Sequence, residues 1–314
     1  QLLATVLRAT LQRTKLEPSR VDDVIVGNVQ QAGAYAGPAR MAALRAGIPA
    51  STPVYALNRQ CSSGLQAVAN AAAAIREGSI RCAIAAGVES MSAAGGGVTG
   101  AELPPANWDE ISSHPVARDC LIPMGQTAET VAERYGVGRR EQDEMAVASH
   151  AKALAAQAAG HFDAELVPVR AMAAEGDERG GGALVTADEG PRPGTTLEVL
   201  GRLRTVFKPD GTVTAGTSSQ VSDGASAVLL ASRSLADELG LRPLGTLLSY
   251  RVVGVPPDEM GVGPAVAIPA ALEAAGLTLG DVDIFEINEA FAAQAAYCVR
   301  KLGIPADKLN PLGG

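Results

Sequence analysis

Aromatic side chains make up only 3% of this 314-residue chain, four Phe, five Tyr and one Trp. A core without large rings has to close by bringing small side chains and backbone together, and 35 glycines with abundant alanine supply those approaches. Histidine and cysteine are scarce too. His114, His150 and His161 are scattered, and no Cys/His spacing has the pattern of a zinc cluster, so no metal site is expected. Four cysteines without pairing-like spacing indicate free thiols and a reducing compartment. Positive charge is in the minority: 26 Lys and Arg against 34 Asp and Glu leave a net charge of −8. With no basic or aromatic stripe to compensate, nucleic acid is not an expected partner. No apolar run approaches the ~20 residues that span a bilayer, and the N-terminus has no signal-peptide pattern. What is present, 47% hydrophobic and 19% charged residues, is a globular composition long enough for two core-bearing units.

Leu2, Leu3, Val6, Leu7 and Leu11 already follow helical spacing with no cap before them, and the chain stops at the turn Asn310-Pro311-Leu312-Gly313-Gly314. Both ends read as interruptions, so a longer parent chain is expected. After the opening helix, Val21 to Asn28 reads as a strand, and Pro38 to Ala46 as a helix stopped by Gly47. A second strand, Pro53 to Leu57, leads to a helix over Gln66 to Arg76 that Gly78 stops, and Ile80 to Ala86 is a third strand. Alternating strands and helices imply an α/β fold with parallel pairing.

From Ala93 the chain turns irregular, with Gly95-Gly96-Gly97, several prolines and Trp108. Two helices follow, Thr127 to Arg134 and Arg139 to Ala159, the second stopped by Gly160. Gly180-Gly181-Gly182 reads as a flexible break. Thr195-Thr196-Leu197-Glu198 matches a capping box at the start of a short helix. Arg192, Arg202, Arg204 and Lys208 cluster here, as a solvated face or as a rim able to hold phosphate locally on an acidic protein. The α/β pattern resumes with Gly211 to Ser219, a strand and turn, then Ala225 to Ala231 and a helix ending near Gly240. Leu244 to Val255 is β-rich, and a helix from Pro264 to Gly276 contains Pro269, a residue that kinks helices.

The next segment repeats an earlier one. Leu277 to Asn288 echoes Leu16 to Asn28: Leu, four residues, Val-Asp, a strand, then Asn. Two βα units of similar design are implied, with the irregular segment hung from the first. By that repeat the Asn310 to Gly314 turn corresponds to the turn Asn58 to Cys61.

That earlier turn, Asn58-Arg59-Gln60-Cys61-Ser62-Ser63-Gly64-Leu65, carries the strongest chemical signal in the chain. Cys61 falls where a strand becomes a helix, and the positive end of a helix dipole favours thiolate over thiol, which makes a cysteine a usable nucleophile. Ser62, Ser63 and Gly64 keep the turn compact and offer capping oxygens. The bland alternative is a small buried residue.

Taken with Gly87-Val88-Glu89-Ser90-Met91-Ser92, Ile122-Pro123-Met124-Gly125, Ser218-Ser219-Gln220-Val221-Ser222-Asp223-Gly224-Ala225 and Asn288-Glu289-Ala290-Phe291, this turn gives the chain a resemblance to the thiolases, most of all those of the peroxisomal 3-ketoacyl-CoA type. The motifs span nearly the whole chain in the family's order. The resemblance implies a thiolase-like layered αβαβα fold of two similar βα halves. It implies an N-terminal half at 1–93 plus 211–240, an inserted loop domain at 94–210 covering CoA and substrate, and an incomplete C-terminal half at 241–314. It implies that Cys61 is the nucleophile that takes the acyl group from a 3-oxoacyl-CoA before a second CoA removes it. Asn288 matches the asparagine that holds a water in an oxyanion site. Met124 and Phe207 match apolar walls for the pantetheine arm, Arg192 the arginine beside the adenine, Ala215 and Ser219 contacts to the amide end, and Ala290 and Phe291 the lining of the reacting thioester. Thr217 stands where the family commonly has asparagine.

The implied partners are acyl-CoA and CoA, as substrates and not cofactors, and a second copy of the chain. The implied place is β-oxidation in the peroxisome, with a bacterial cytoplasm as alternative. Biosynthetic acetoacetyl-CoA thiolase and a non-catalytic acyl-CoA or lipid carrier are the competing readings, and Pro123-Met124, where short-chain enzymes often have His-Met, favours the degradative type. The family's Gly-His-Pro loop is expected after Gly314 and its second cysteine further on. Neither Cys82, Cys120 and Cys298 nor the three histidines have the required neighbours. General acid/base groups contribute ~10²–10⁴-fold, so the chain as written is expected to be impaired and its sheet edges poorly satisfied.

Overall fold

The computed structural model describes residues 1–30, 35–93, 107–171 and 182–314. The glycines Gly95-Gly96-Gly97 and Gly180-Gly181 lie outside the described residues. The chain divides into two compact units: Gln1–Pro104, Val167–Ala187 and Val221–Leu247 form the first, and Pro105–Leu166, Asp188–Gln220 and Leu248–Gly314 the second.

The first unit is built on a four-stranded sheet in the order β2-β1-β3-β6, formed by β1 (Asp23–Gly27), β2 (Val54–Leu57), β3 (Cys82–Ser90) and β6 (Asp223–Ala231). Val24 to Val26 of β1 and Cys82 to Val88 of β3 are continuous apolar runs because both sheet faces are covered. Alternation then sorts their side chains: Val24, Val26, Ile84 and Ala86 pack with Leu3 and Leu7 of α1 (Leu2–Thr14) and Ala39 and Ala43 of α2 (Ala36–Ala46). Ile25, Ala83 and Ala85 point the other way, onto Ala67 and Ala71 of α3 (Ser63–Glu77). Alanine on α3 lets its backbone come close to the sheet, as expected of a core with few rings. Gly47 and Gly78 end α2 and α3 at φ 96° and 85°, where a side chain would be strained.

β1, β2 and β3 are parallel, but β6 runs antiparallel to β3 from Cys82↔Ala231 to Ser90↔Asp223, which corrects the all-parallel expectation. α9 (Arg233–Glu238) follows β6, and a two-stranded ribbon joins β4 (Val169–Arg170) to β5 (Leu184–Val185).

In the second unit α4 (Trp108–Ser113) and α5 (Pro115–Asp119) replace part of the expected irregular chain. α6 (Met124–Tyr135) and α7 (Arg139–Ala158) coincide with the two helices expected there, and α8 (Leu197–Gly201), α10 (Gly263–Ala275, containing Pro269) and α11 (Ala292–Leu302) complete the set. α8 is capped by Thr196, whose oxygen accepts from Val199 N–H at 3.2 Å. Glu198 therefore falls one position short of closing a capping box and pairs with Arg202 instead.

Two β expectations fail. Gly211 to Ser219 forms a bridge at Thr205↔Thr214 and a 3-10 turn over Ala215–Thr217, and Leu244 to Val255 forms no strand. A β-rich composition makes a strand only where a neighbour accepts its ladder, and among the described residues none pairs with that run. Phe285 to Ile287 does find one, a parallel bridge between Phe285 and Leu309, packed over Ile287, Ile304 and Leu309.

Candidate active site

Cys61 stands one residue before Ser62, the N-cap position of α3, so the strand-to-helix address read from sequence holds. The turn that exposes it is tied within itself. Asn58 Oδ1 accepts from Gln60 N–H at 2.8 Å, and Gln60 takes the left-handed φ of 49°. Ser63 Oγ accepts from Arg59 N–H at 2.9 Å and donates to Gln60 O, while Ser62 Oγ donates to Arg59 O. The two serines thus knit the turn and do not cap α3, a correction to their expected role.

Gly27, the last residue of β1, lies against the first turn of α3 so closely that a Cβ there would sit 2.5 Å from Ser63 C and 2.6 Å from Gly64 N. The thiol opens onto a cleft of about 500 Å³ lined by the ends of β1 and β3 and the start of β6. Its rim is fixed by Glu89, whose carboxylate accepts from Val29 N–H at 2.9 Å, Asn28 Nδ2 at 3.1 Å and Gln30 N–H at 3.3 Å. Asn28 also donates to Val88 O at 2.7 Å. Sequence reasoning missed this clamp, which joins residues some 60 positions apart.

The other thiols differ. Cys82 and Cys298 are buried, and burial pushes each up to about 11. Cys120 is exposed, on the turn after α5.

The remaining predicted residues belong to the second unit. Phe207 and Phe291 meet edge to face, with centroids 5.9 Å apart. Ser219 N–H donates to Ala290 O at 2.9 Å, and Ser218 bridges Phe291, so Ser219, Ala290 and Phe291 form one patch. Met124 begins α6 exposed, and its neighbour Gly125 packs directly beneath the Phe207 ring. Ala215 is exposed on the 3-10 turn. Thr217, buried, accepts from Thr214 N–H at 3.0 Å and closes that turn's capping box, so threonine meets the local hydrogen-bonding need at this position.

Arg192 stands apart from the aromatic patch: its N–H donates to His150 Nδ1 at 3.1 Å, and among the described residues no ion pair engages its guanidinium. Burial, and then Arg192, lower the His150 pKa, while Glu289 opposes them. Arg202 pairs with Glu198 and Lys208 with Glu133, which favours a solvated face for those two members of the basic cluster.

Asn288 is exposed at the end of the Phe285 to Ile287 segment. The backbone on either side of it is held. Asn310, buried, accepts at Oδ1 from Ile287 N–H at 2.8 Å and donates from Nδ2 to Ile287 O at 2.9 Å and Glu289 Oε1 at 2.7 Å. With its amide turned to suit its neighbours, Gln294 donates to Asn288 O at 3.1 Å.

Fold and cleft together define an α/β protein that presents a thiol at a strand-to-helix turn. Residues 1–234 match the thiolase N-terminal domain and residues 241–314 the thiolase C-terminal domain. The chain belongs to the thiolase family. It is 56% identical over 320 residues to the peroxisomal 3-ketoacyl-CoA thiolase A of Mus musculus, covering 100% of this chain and 73% of that one. The dimeric peroxisomal thiolase of Saccharomyces cerevisiae has a TM-score of 0.92 at 47% identity, covering 100% of this chain and 78% of that one. The acetyl-CoA acetyltransferase of Bacillus anthracis follows at a TM-score of 0.86 and 38% identity, covering 100% and 79%.

Proposed function

We propose that the chain works as an acyltransferase that cleaves 3-oxoacyl-CoA with CoA, giving acetyl-CoA and an acyl-CoA two carbons shorter, in peroxisomal β-oxidation and as a homodimer. The observation that carries the reading is the exposed Cys61 at the mouth of a braced cleft, in a chain 56% identical to a peroxisomal 3-ketoacyl-CoA thiolase. Pro123-Met124, where short-chain enzymes often have His-Met, supports the degradative over the biosynthetic direction.

In this reading the Cys61 thiolate attacks the 3-keto carbon and the C2–C3 bond breaks. Its electron pair leaves on the acetyl-CoA enolate, which takes one proton. CoA thiolate then attacks the acyl-cysteine, and Cys61 departs as thiolate. Asn288 would stabilise charge on the thioester oxygen, Phe207, Met124, Phe291 and Ala290 would flank the pantetheine and thioester, Ala215 and Ser219 would meet its amide end, and Arg192 would lie by the adenine. CoA is a substrate here, and no further cofactor enters the steps.

The test is to expose the full-length protein to a medium-chain 3-oxoacyl-CoA. Without CoA, mass spectrometry of the Cys61 peptide should show an acyl adduct that Cys61→Ser abolishes; with CoA, acetyl-CoA and the shortened acyl-CoA should appear. Tight binding of acyl-CoA with neither adduct nor products would establish the carrier reading instead.

A further inference from the structure

Asn310 does a job that backbone does elsewhere. Phe285 N–H donates to Lys308 O and Asn310 N–H to Phe285 O, both at 2.8 Å, which are two rungs of a parallel ladder. The chain then turns away, because Asn310 adopts a left-handed φ of 39° and its own carbonyl receives Gly313 N–H at 2.9 Å. Its side-chain amide supplies the missing rung, engaging both N–H and C=O of Ile287. Asparagine suits this position for a specific reason: it tolerates the left-handed region and carries an amide that copies a peptide group. Glycine would meet only the first need and aspartate would lose the donors. Nδ2 also holds Glu289, and Gly314 passes so close over the pair that a Cβ there would lie 2.6 Å from the Glu289 carboxyl carbon. Asn288 is therefore pinned through the residues before and after it while remaining exposed itself.

We propose that Asn310 and Glu289 are a positioning pair for Asn288, Asn310 acting through the Ile287 peptide and the Glu289 carboxylate to hold the Asn288 amide where charge develops on the thioester. This rests on Asn288 having the oxyanion role proposed above. The corresponding turn in the first unit also begins with an asparagine, but Asn58 keeps its Oδ1 on Gln60 N–H within the turn and reaches Val29 O only at 3.4 Å, so the two-sided grip on a peptide belongs to Asn310.

The experiment measures thiolysis by the full-length enzyme with Asn310→Asp, Asn310→Gly, Glu289→Gln/Asn310→Asp, Asn288→Ala and Asn288→Ala/Asn310→Asp. Asn310→Asp removes both donors and opposes two carboxylates. Displacement of a catalytic group by about 1 Å can cost ~10²-fold, so kcat should fall by that order while KM for CoA changes less than about twofold. Asn310→Gly relieves the left-handed backbone but leaves the Ile287 N–H and C=O without their partner, so it should lower Tm modestly and lose kcat, with KM for CoA little changed. Glu289→Gln should restore at least about tenfold to Asn310→Asp, because the new amide at 289 donates where the Glu289 carboxylate accepted. In the Asn288→Ala background Asn310→Asp should cost nothing further, since its effect passes through Asn288.

Full kcat in both Asn310 variants, or an equal loss with Asn288 absent, overturns the proposal and leaves the oxyanion reading intact. Full kcat in Asn288→Ala overturns the oxyanion reading, and the positioning role falls with it.

Discussion

Replacing Gly27 by alanine asks whether the place of Cys61 depends on backbone-to-backbone contact between β1 and α3. The added methyl would meet Ser63 C, Gly64 N and Ser63 O at 2.5, 2.6 and 2.7 Å, and all three are backbone atoms that no rotamer change can clear. Since Cβ atoms keep beyond 3.0 Å of such neighbours, the α3 start must retreat by about 0.5 Å or more. Overpacking of this kind costs about 1–3 kcal/mol, and the stiffer unfolded chain returns ~0.4–1 kcal/mol. A net loss of about 1–2 kcal/mol lowers Tm by ~2–8 °C in a domain of this size class. The functional effect should be larger, because the retreating turn carries the thiol and a shift approaching 1 Å costs ~10²-fold in rate. Circular-dichroism melting and the rate of acyl-adduct formation on Cys61 measure the two effects. Gly37→Ala is the control: nothing lies within 4 Å of its Cβ, so it should leave both unchanged or gain a few tenths of a kcal/mol. A Gly27→Ala protein with parental Tm and adduct rate would refute the reasoning, since it would mean that the Gly27 to Ser63 approach does not set the turn.

Iodoacetamide should label Cys61 and Cys120 in the folded protein and spare Cys82 and Cys298, which are buried and titrate near 11, and acyl-CoA should protect Cys61 alone; folded-state labelling of Cys82 contradicts this. Gly125→Ala should drive the Phe207 ring off Phe291 and raise KM for CoA without moving Cys61 reactivity, as steady-state and labelling assays will show. Arg192→Ala should weaken CoA binding about tenfold by calorimetry with Tm unchanged, and unchanged affinity removes Arg192 from the adenine site. His150 is favoured neutral, with its pKa below the ordinary 6.5, so its share of stability is complete above pH 6.5 and is lost as pH falls through the lowered value. Urea midpoints between pH 7 and about 5 should therefore fall less steeply in His150→Gln, and equal slopes count against the His150 to Arg192 link.

The first unit was readable because local signals agreed there. Continuous apolar β1 and β3, glycine stops at Gly47 and Gly78, and small residues on α3 all describe one doubly covered sheet, and that is the sheet observed. The direction of β6 was hidden because it depends on which neighbour it meets, and the βαβ rhythm before it argues for the wrong sense. Leu244 to Val255 failed for a related reason: β-branched composition expresses fitness for a pleated surface and cannot supply the partner that makes one.

The site shows the same divide more sharply. Cys61 was visible because its chemistry follows from a local address, and the rest of the candidate set came from resemblance to thiolase motifs. What holds those residues was not visible. Glu89 with Asn28, His150 with Arg192 and Asn310 with Ile287 join positions 61, 42 and 23 apart, through side chains that hydrogen-bond groups no helix or ladder satisfies. Such groups have no periodicity, so no window along the chain contains them. One trace did exist in the sequence: the repeat that matched Asn28 with Asn288 also aligned Asn58 with Asn310. An asparagine where a strand stops and a turn begins can supply an amide in place of a missing peptide rung, as Asn310 does. That reasoning turns a weak repeat into a structural expectation, and it leads to Asn310 more directly than any motif does.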